Sequence, residues 1–254
     1  MRRLTRRMRA AVMDDQGQGA AYWQRVKRLF GANVIGYWPM LDTTGTSAVD
    51  RSNGGYNGIY TGATLDQAAA PGGGKCPLFD GTGDNVVVAS ATVNTALLTA
   101  FNGAEGSFIA WARVANAGVW TDAADRRVCR LHKANNYFNL HKHTTNNRLH
   151  FETSMGGTYK LITYDGAGGN TDWMLLSMTW SKSRDALKAY VNKAQVGSTA
   201  TGLGVFAGPL EFMVLGAITV SPVTSWSGWL AHALILNRPA TLEEIGRVYD
   251  SANF

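Results

Sequence analysis

Two short segments hold the densest group of side chains able to bind or ligate. Tyr137-Phe138-Asn139-Leu140-His141-Lys142-His143 and Arg148-Leu149-His150-Phe151-Glu152 flank the stretch Thr144-Thr145-Asn146-Asn147. Alternation with period two marks a strand on each side, and the four polar residues between them mark a hairpin turn. A symmetric turn pairs His143 with Arg148, His141 with His150, and Asn139 with Glu152. Phe138, Leu140, Leu149 and Phe151 then point to a core, while Tyr137, Asn139, His141, His143, His150 and Glu152 share the opposite face. Three imidazoles and a carboxylate are a donor set for a transition metal. The same groups can hydrogen-bond the hydroxyls of a sugar stacked on Tyr137. An ordinary solvated sheet face is the plainer alternative, so no metal is assigned from the sequence.

Loop aromatics form a second candidate. Trp120 with Asp122 follows a glycine-containing turn, and Trp226 lies between Ser225 and Ser227. An exposed indole gives a sugar ring a flat apolar surface, although burial in a core is an equal alternative. Asp42, Asp50, Asp80 and Asp84 sit in early loops and have the oxygen chemistry of a structural calcium site. Asp50 before Ser-Asn-Gly and Asp80 before Gly serve equally well as turn formers, which is the reading preferred here.

Catalytic patterns are missing. Glycoside cleavage needs two carboxylates facing one cleft, yet Glu152 and Glu211 are isolated and Glu243-Glu244 fall in a helical stretch. No paired-cysteine zinc motif stands out, and Gly81-Thr82-Gly83 lacks the following helix that a phosphate loop requires. The expectation is a protein that is not an enzyme. Cys76 and Cys129 cannot make a disulfide framework; one bridge is open to them, and two thiols are expected.

These residues sit in a chain of short strands. Val34–Pro39, Ile59–Thr61, Leu78–Gly81, Asn85–Val88, Ser107–Arg113, Trp173–Trp180, Ala186–Val191, Gln195–Ser198, Leu210–Ala217 and Gly228–Leu236 all read as strands, and Pro71-Gly72-Gly73-Gly74 as a flexible loop. With 29 Gly against six Pro, tight turns are well supplied. Within this body only the stretch from Thr241 to Ile245 reads as a helix, with Thr241 and Glu244 forming a capping box. The fold class expected is all-β, a two-sheet antiparallel jelly-roll sandwich over residues 33–254.

Residues 1–32 differ. The first 30 contain eight Lys or Arg and two Asp, a sum of +6 that equals the net charge of the whole chain. The remainder carries 16 basic residues (24 − 8) and 16 acidic ones (18 − 2). Arg2, Arg3, Arg6, Arg7 and Arg9 surround Leu4, Met8 and Val12, and a second helical stretch carries Tyr22, Trp23, Val26, Leu29 and Phe30 on one face. The five arginines and these last five apolar side chains are the candidate anchoring residues of a basic arm. Docking to another protein is the preferred role; a nucleic-acid arm, a membrane-surface helix, and a helix folded onto its own body are the alternatives. Leu4 to Asp15 offers no apolar core for an export signal, so the arm is expected to be retained. No apolar run is long enough to span a membrane as a helix.

An ordered series of motifs then carries a resemblance. Gly36-Tyr37-Trp38-Pro39, Asp50-Arg51-Ser52-Asn53-Gly54, Phe79-Asp80-Gly81, Phe108-Ile109-Ala110-Trp111, Trp173 with Met178-Thr179-Trp180, Leu187 to Asn192, Trp229-Leu230-Ala231, Asn237-Arg238-Pro239 and Leu242 to Ile245 together resemble the laminin-G-like, concanavalin A-like lectin-glucanase superfamily over roughly residues 33–250. The aromatic helix before Tyr37 and the run Cys76 to Gly81 after a glycine-rich loop are similar to domains of bacteriophage virion proteins. The resemblance implies a jelly roll used to bind glycans or decorate surfaces. The expectation is a non-enzymatic virion structural protein of the capsid surface or tail. Its arm would hold other virion proteins in an oligomeric assembly, and its lectin-like domain would face surface glycans. A free carbohydrate-binding module is the alternative, followed by a glycan hydrolase or lyase. Nucleic acid is not an expected partner.

Overall fold

The computed structural model describes residues 22–145 and 147–252. Arg2, Arg3, Arg6, Arg7 and Arg9 lie outside them. Among the described residues the chain folds into two antiparallel sheets of eight strands each.

Sheet I runs, edge to edge, β14 (Ala194–Ala200), β13 (Ala186–Val191), β12 (Met174–Ser181), β7 (Glu105–Val114), β16 (Ser227–Leu236), β5 (Lys75–Asp80) and β4 (Thr64–Ala69), with β1 (Val34–Trp38) also paired to β16. Sheet II runs β11 (Thr158–Tyr164), β10 (Leu149–Met155), β9 (Asn136–Lys142), β8 (Arg126–Lys133), β15 (Phe212–Leu215), β6 (Asn85–Ala89), β3 (Gly58–Thr61) and β2 (Ser47–Ala48). This is the sandwich expected from period-two alternation. Its core is built from the inward residues of both sheets, among them Trp38, Phe79, Phe108, Phe138 and Trp180. Phe138 of sheet II stacks on Trp180 of sheet I at 4.1 Å, so the layers meet directly.

Helices occupy the other side of sheet I. The helix over residues 22–30 (α1) and α3 (Leu242–Ala252) bury Tyr22, Val26, Phe30, Ile245 and Val248 against Tyr37, Ile109, Trp111 and Leu175 of the sheet. Tyr22, Val26 and Phe30 recur every four residues, which makes the single apolar stripe that such a contact needs. Each fully buried side chain of this size contributes about 1.5–3 kcal/mol of transfer free energy. The Trp111 indole donates to the Tyr22 hydroxyl (2.8 Å), and that hydroxyl donates to Val248 O (3.3 Å). The stripe expected to dock another protein therefore packs on the chain's own sheet. Trp23 and Leu29 lie half-buried at its border.

His232 locks the same layer from below. A bulge in β16 between Ala231 and Leu234 leaves His232 at φ 54°, buried, with its ring nearly perpendicular to that of Tyr22 and the two centres 4.5 Å apart. Pro71 O lies 2.9 Å from Nε2 and can only accept, so Nε2 carries the proton and Nδ1 accepts from the Tyr37 hydroxyl at 3.0 Å. The Pro71–Gly74 stretch, expected to be flexible, is instead a hydrogen-bonded turn between β4 and β5, closed by Ala70 N to Gly74 O. Gly72 sits there at φ 76° with the Tyr22 ring where a Cβ would stand, which only glycine tolerates.

The capping box forms as expected. Thr241 Oγ1 accepts from Glu244 N (3.2 Å), and Glu244 Oε2 accepts from Thr241 N (2.9 Å). The body also holds a helix that its sequence pattern does not announce. The six-residue α2 (Thr95–Ala100) buries Leu97 and Leu98; Asn94 stands at its N-cap without a side-chain bond, and six residues are too few to show a helical period.

Candidate functional site

The hairpin register is the one its turn implies. His141 faces His150 and Asn139 faces Glu152, and His143 N bonds Arg148 O at the turn. Phe138, Leu140, Leu149 and Phe151 are fully buried inward. Their neighbours Tyr137, Asn139, His141, His150 and Glu152 share the outer face of sheet II, with His143 beyond the end of β9. The structure brings all six predicted hairpin residues together.

Two adjoining strands complete the surface. β8 places Arg130 opposite Asn139 and His132 opposite Tyr137, and Arg127 enters beside His141. β11 places Tyr159 opposite Ser154 and Leu161 opposite Glu152. Tyr159 is 49% exposed and Leu161 37%. Sequence reasoning missed Arg127, Arg130, His132 and Tyr159. Cys129-Arg130-Leu131-His132 does alternate, but a bulge between Arg127 and Cys129 interrupts the pattern and hides the strand.

Glu152 is the hub. Asn139 Nδ2 donates to its Oε1 (2.7 Å) and the Tyr159 hydroxyl to its Oε2 (2.8 Å). Burial together with this carboxylate raises the Tyr159 phenol above its ordinary value, so it remains a donor. Burial also raises the Tyr137 phenol, as does the charge of Glu152. The Arg130 guanidinium lies over the Tyr137 ring at 5.3 Å.

Burial works against a charge on His132, His141 and His150. Burial, then the Arg127 charge, pushes the His141 imidazole down to about 2. Burial and the neighbouring His143 lower His150, and burial and Arg130 lower His132. His143 lies flat on His150, ring centres 4.1 Å apart, with its Nδ1 accepting from Thr145 N. Both ring nitrogens of His141 and of His150, together with Asn139 Oδ1 and Arg130 Nε, are buried yet have no hydrogen-bond partner among the described residues. Native interiors satisfy nearly all such atoms, so six on one patch call for a polar partner such as water, an ion or a ligand. Among the described residues, His141, His150 and Glu152 are also the one place where three metal-type donors converge, all within 4.8 Å of one another.

The loop tryptophans are corrected. Trp120 and Trp226 are both fully buried, and their indole N–H groups donate to Asn170 O (2.6 Å) and Arg113 O (3.1 Å). Neither presents a ring to a ligand. Asp122, placed beside Trp120 as a hydroxyl partner, is taken up by the buried Lys142 ammonium (2.7 Å) and by Arg126.

The early aspartates act in turns. Asp50 accepts from Tyr37 N, Ser52 N, Ser52 Oγ and Tyr56 N, and Asp80 accepts from Thr82 N. Asp42 accepts from Val49 N and the Tyr60 hydroxyl, and Asp84 from Asp80 N. Cys76 in β5 and Cys129 in β8 are buried thiols in different sheets.

A two-layer jelly roll with one sheet backed by helices and the other presenting a polar, tyrosine-flanked face defines a lectin-like sandwich domain. The sequence pattern of the concanavalin A-like lectin/glucanases superfamily matches residues 80–246. The chain belongs to that superfamily. Among solved structures it is similar to the botulinum neurotoxin serotype D binding domain, at 15% identity and a TM-score of 0.63 over 87% of this chain and 52% of that one. The serotype D ligand binding domain in complex with N-acetylneuraminic acid gives 15% identity and a TM-score of 0.64, covering 89% of this chain and 52% of that one. Domain 4 of AbnA, a GH43 extracellular arabinanase from Geobacillus stearothermophilus, solved with arabinotriose, gives 14% identity and a TM-score of 0.62 over 85% of this chain and 98% of that one. The chain thus spans about half the length of the toxin domains and nearly all of the arabinanase domain. At these identities the likeness is one of fold. No curated protein sequence matches the chain.

Proposed function

We propose that this protein is a non-enzymatic glycan-binding domain whose binding face is the outer surface of sheet II. The observation that carries the reading is the patch of unpartnered buried polar atoms on Asn139, His141, His150 and Arg130, flanked by the Tyr137 and Tyr159 rings. The exposed Tyr159 offers a flat apolar face to the C–H side of a sugar ring, and the buried imidazoles and amide beside it would meet its hydroxyls through bridging water or after side-chain rotation. Membership of the superfamily and the glycan complexes of two structural neighbours support it. Both oxygens of Glu152 are engaged by neighbours, which favours a positioning role over acid catalysis. A glycan array tests the reading. Wild-type protein should bind at least one saccharide, and Tyr159→Ala should weaken that binding at least about tenfold, the loss of one stacking anchor. An array with no signal above background overturns it.

The setting we propose is a virion surface, with the domain displayed from its basic N-terminal segment. Residues 1–21 hold five arginines and two aspartates, while the apolar face of α1 is engaged within the domain, so any attachment falls to that segment and to the exposed side of α1. Deleting residues 1–21 should abolish incorporation into particles while leaving glycan binding intact. Unchanged incorporation refutes the setting.

A further inference from the structure

We propose that His141, His150 and Glu152 form a site for one divalent transition metal of the zinc class. The three donors come from two adjacent strands. His141 and His150 are directly cross-paired, with ring centres 5.2 Å apart, and Glu152 follows His150 by two residues on the same face. Their ligand atoms already lie within 4.8 Å of one another. Tetrahedral ligands about 2.0–2.1 Å from zinc sit roughly 3.3 Å apart, so small side-chain rotations would close the set.

Chemistry and burial agree with this. Two imidazoles and one carboxylate are the donor set of borderline metals, and three protein ligands leave a fourth position open. His141 is 2% exposed and His150 6%, yet all four of their ring nitrogens lack a hydrogen-bond partner among the described residues. A buried polar atom left unpaired costs about 1–3 kcal/mol, and a metal satisfies one nitrogen of each ring at once. His141 Nδ1 stands 4.0 Å from Glu152 Oε1, too far for a hydrogen bond but near enough for both to reach one ion. The nearby Arg127 cation is paired with Asp125 at 3.1 Å, which offsets its repulsion of a dication. Asn139 and Tyr159, bonded to the two oxygens of Glu152, orient the carboxylate as outer partners of metal ligands do.

The site needs no glycan, so its test is independent of the glycan reading. Full-length protein without a histidine tag is stripped with a chelator and titrated with zinc chloride by calorimetry, and cobalt(II) is followed by visible absorption. The expected result is one ion per chain, with an intense tetrahedral cobalt band. His150→Gln and Glu152→Gln should each weaken zinc at least about a hundredfold, the upper end of losses seen when mere outer-shell partners are removed. Because these variants disturb a buried patch, histidine side-chain NMR of the unaltered protein provides a second readout. Zinc should shift His141 and His150 and leave His232 unmoved. Absence of binding, affinity retained in both variants, or shifts confined to other histidines overturns the proposal.

Discussion

Replacing Asp122 by asparagine should destabilise the domain by about 3–5 kcal/mol, the range for breaking a buried ion pair from one side. Lys142 is wholly buried at the end of β9, next to His141, and its ammonium reaches Asp122 Oδ1 at 2.7 Å and Ala124 O at 3.1 Å. At an effective dielectric of about 20 the pair attracts by roughly 6 kcal/mol before desolvation is deducted. The Asp122 side chain is 23% exposed, which screens part of this and places the net loss toward the lower end. A neutral amide at this position would leave the ammonium without a counter-charge and remove the partner of Arg126 as well. For a chain of this size each kcal/mol corresponds to about 2–4 °C, so Tm should fall by roughly 6–12 °C. Urea denaturation of Asp122→Asn, Lys142→Met and the double variant measures the effect. Lys142→Met alone should cost less, and in the double variant the two losses should not add. The pH dependence has a definite sign. Burial works to raise the Asp122 carboxyl, but bonds from Lys142, Ala124 N and Arg126 outweigh it and hold the group below the usual carboxylate range. Its stabilisation is thus present above that range and lost as pH falls through the lowered folded value. A change under about 0.5 kcal/mol, or strictly additive losses, would refute the reasoning.

Three further outcomes follow from the same packing. Deleting residues 1–30, and with them α1, should expose the apolar side of sheet I and cause aggregation or unfolding, read by scanning calorimetry and light scattering. Tyr22→Phe should cost about 1–3 kcal/mol in urea, because the buried Trp111 N–H loses its acceptor, whereas Val248 O keeps the Ser251 hydroxyl. Burial pushes His232 down to about 3, so the unfolded chain takes up that proton first. Stability should therefore decline as pH falls below about 6.5, with His232 alone costing about 2 kcal/mol at pH 5; a urea midpoint equal at pH 7.5 and 5 contradicts this.

Local patterns in the sequence reached as far as local interactions decide the structure. The Tyr137–Glu152 hairpin was legible because a four-residue turn fixes its register and period two fixes its faces. The Thr241–Glu244 capping box and the stripe Tyr22, Val26, Phe30 were legible for the same reason. What covers that stripe was not, since Trp111 and Val248 are 89 and 226 residues away from Tyr22. Nor does any neighbour in sequence reveal that Trp120 and Trp226 turn inward to distant carbonyls. Arg127, Arg130 and His132 stayed hidden behind a bulge that buries Val128 and Cys129 together. Tyr159 joined the site only through the pairing of β10 with β11.

The most direct test of the central claim is an NMR titration with whichever saccharide binds on the array. Backbone and side-chain signals of Asn139, His150 and Tyr159, on the outer face of sheet II, should shift together. Shifts confined to the loops at the ends of the sandwich, or to the helices on sheet I, would contradict it.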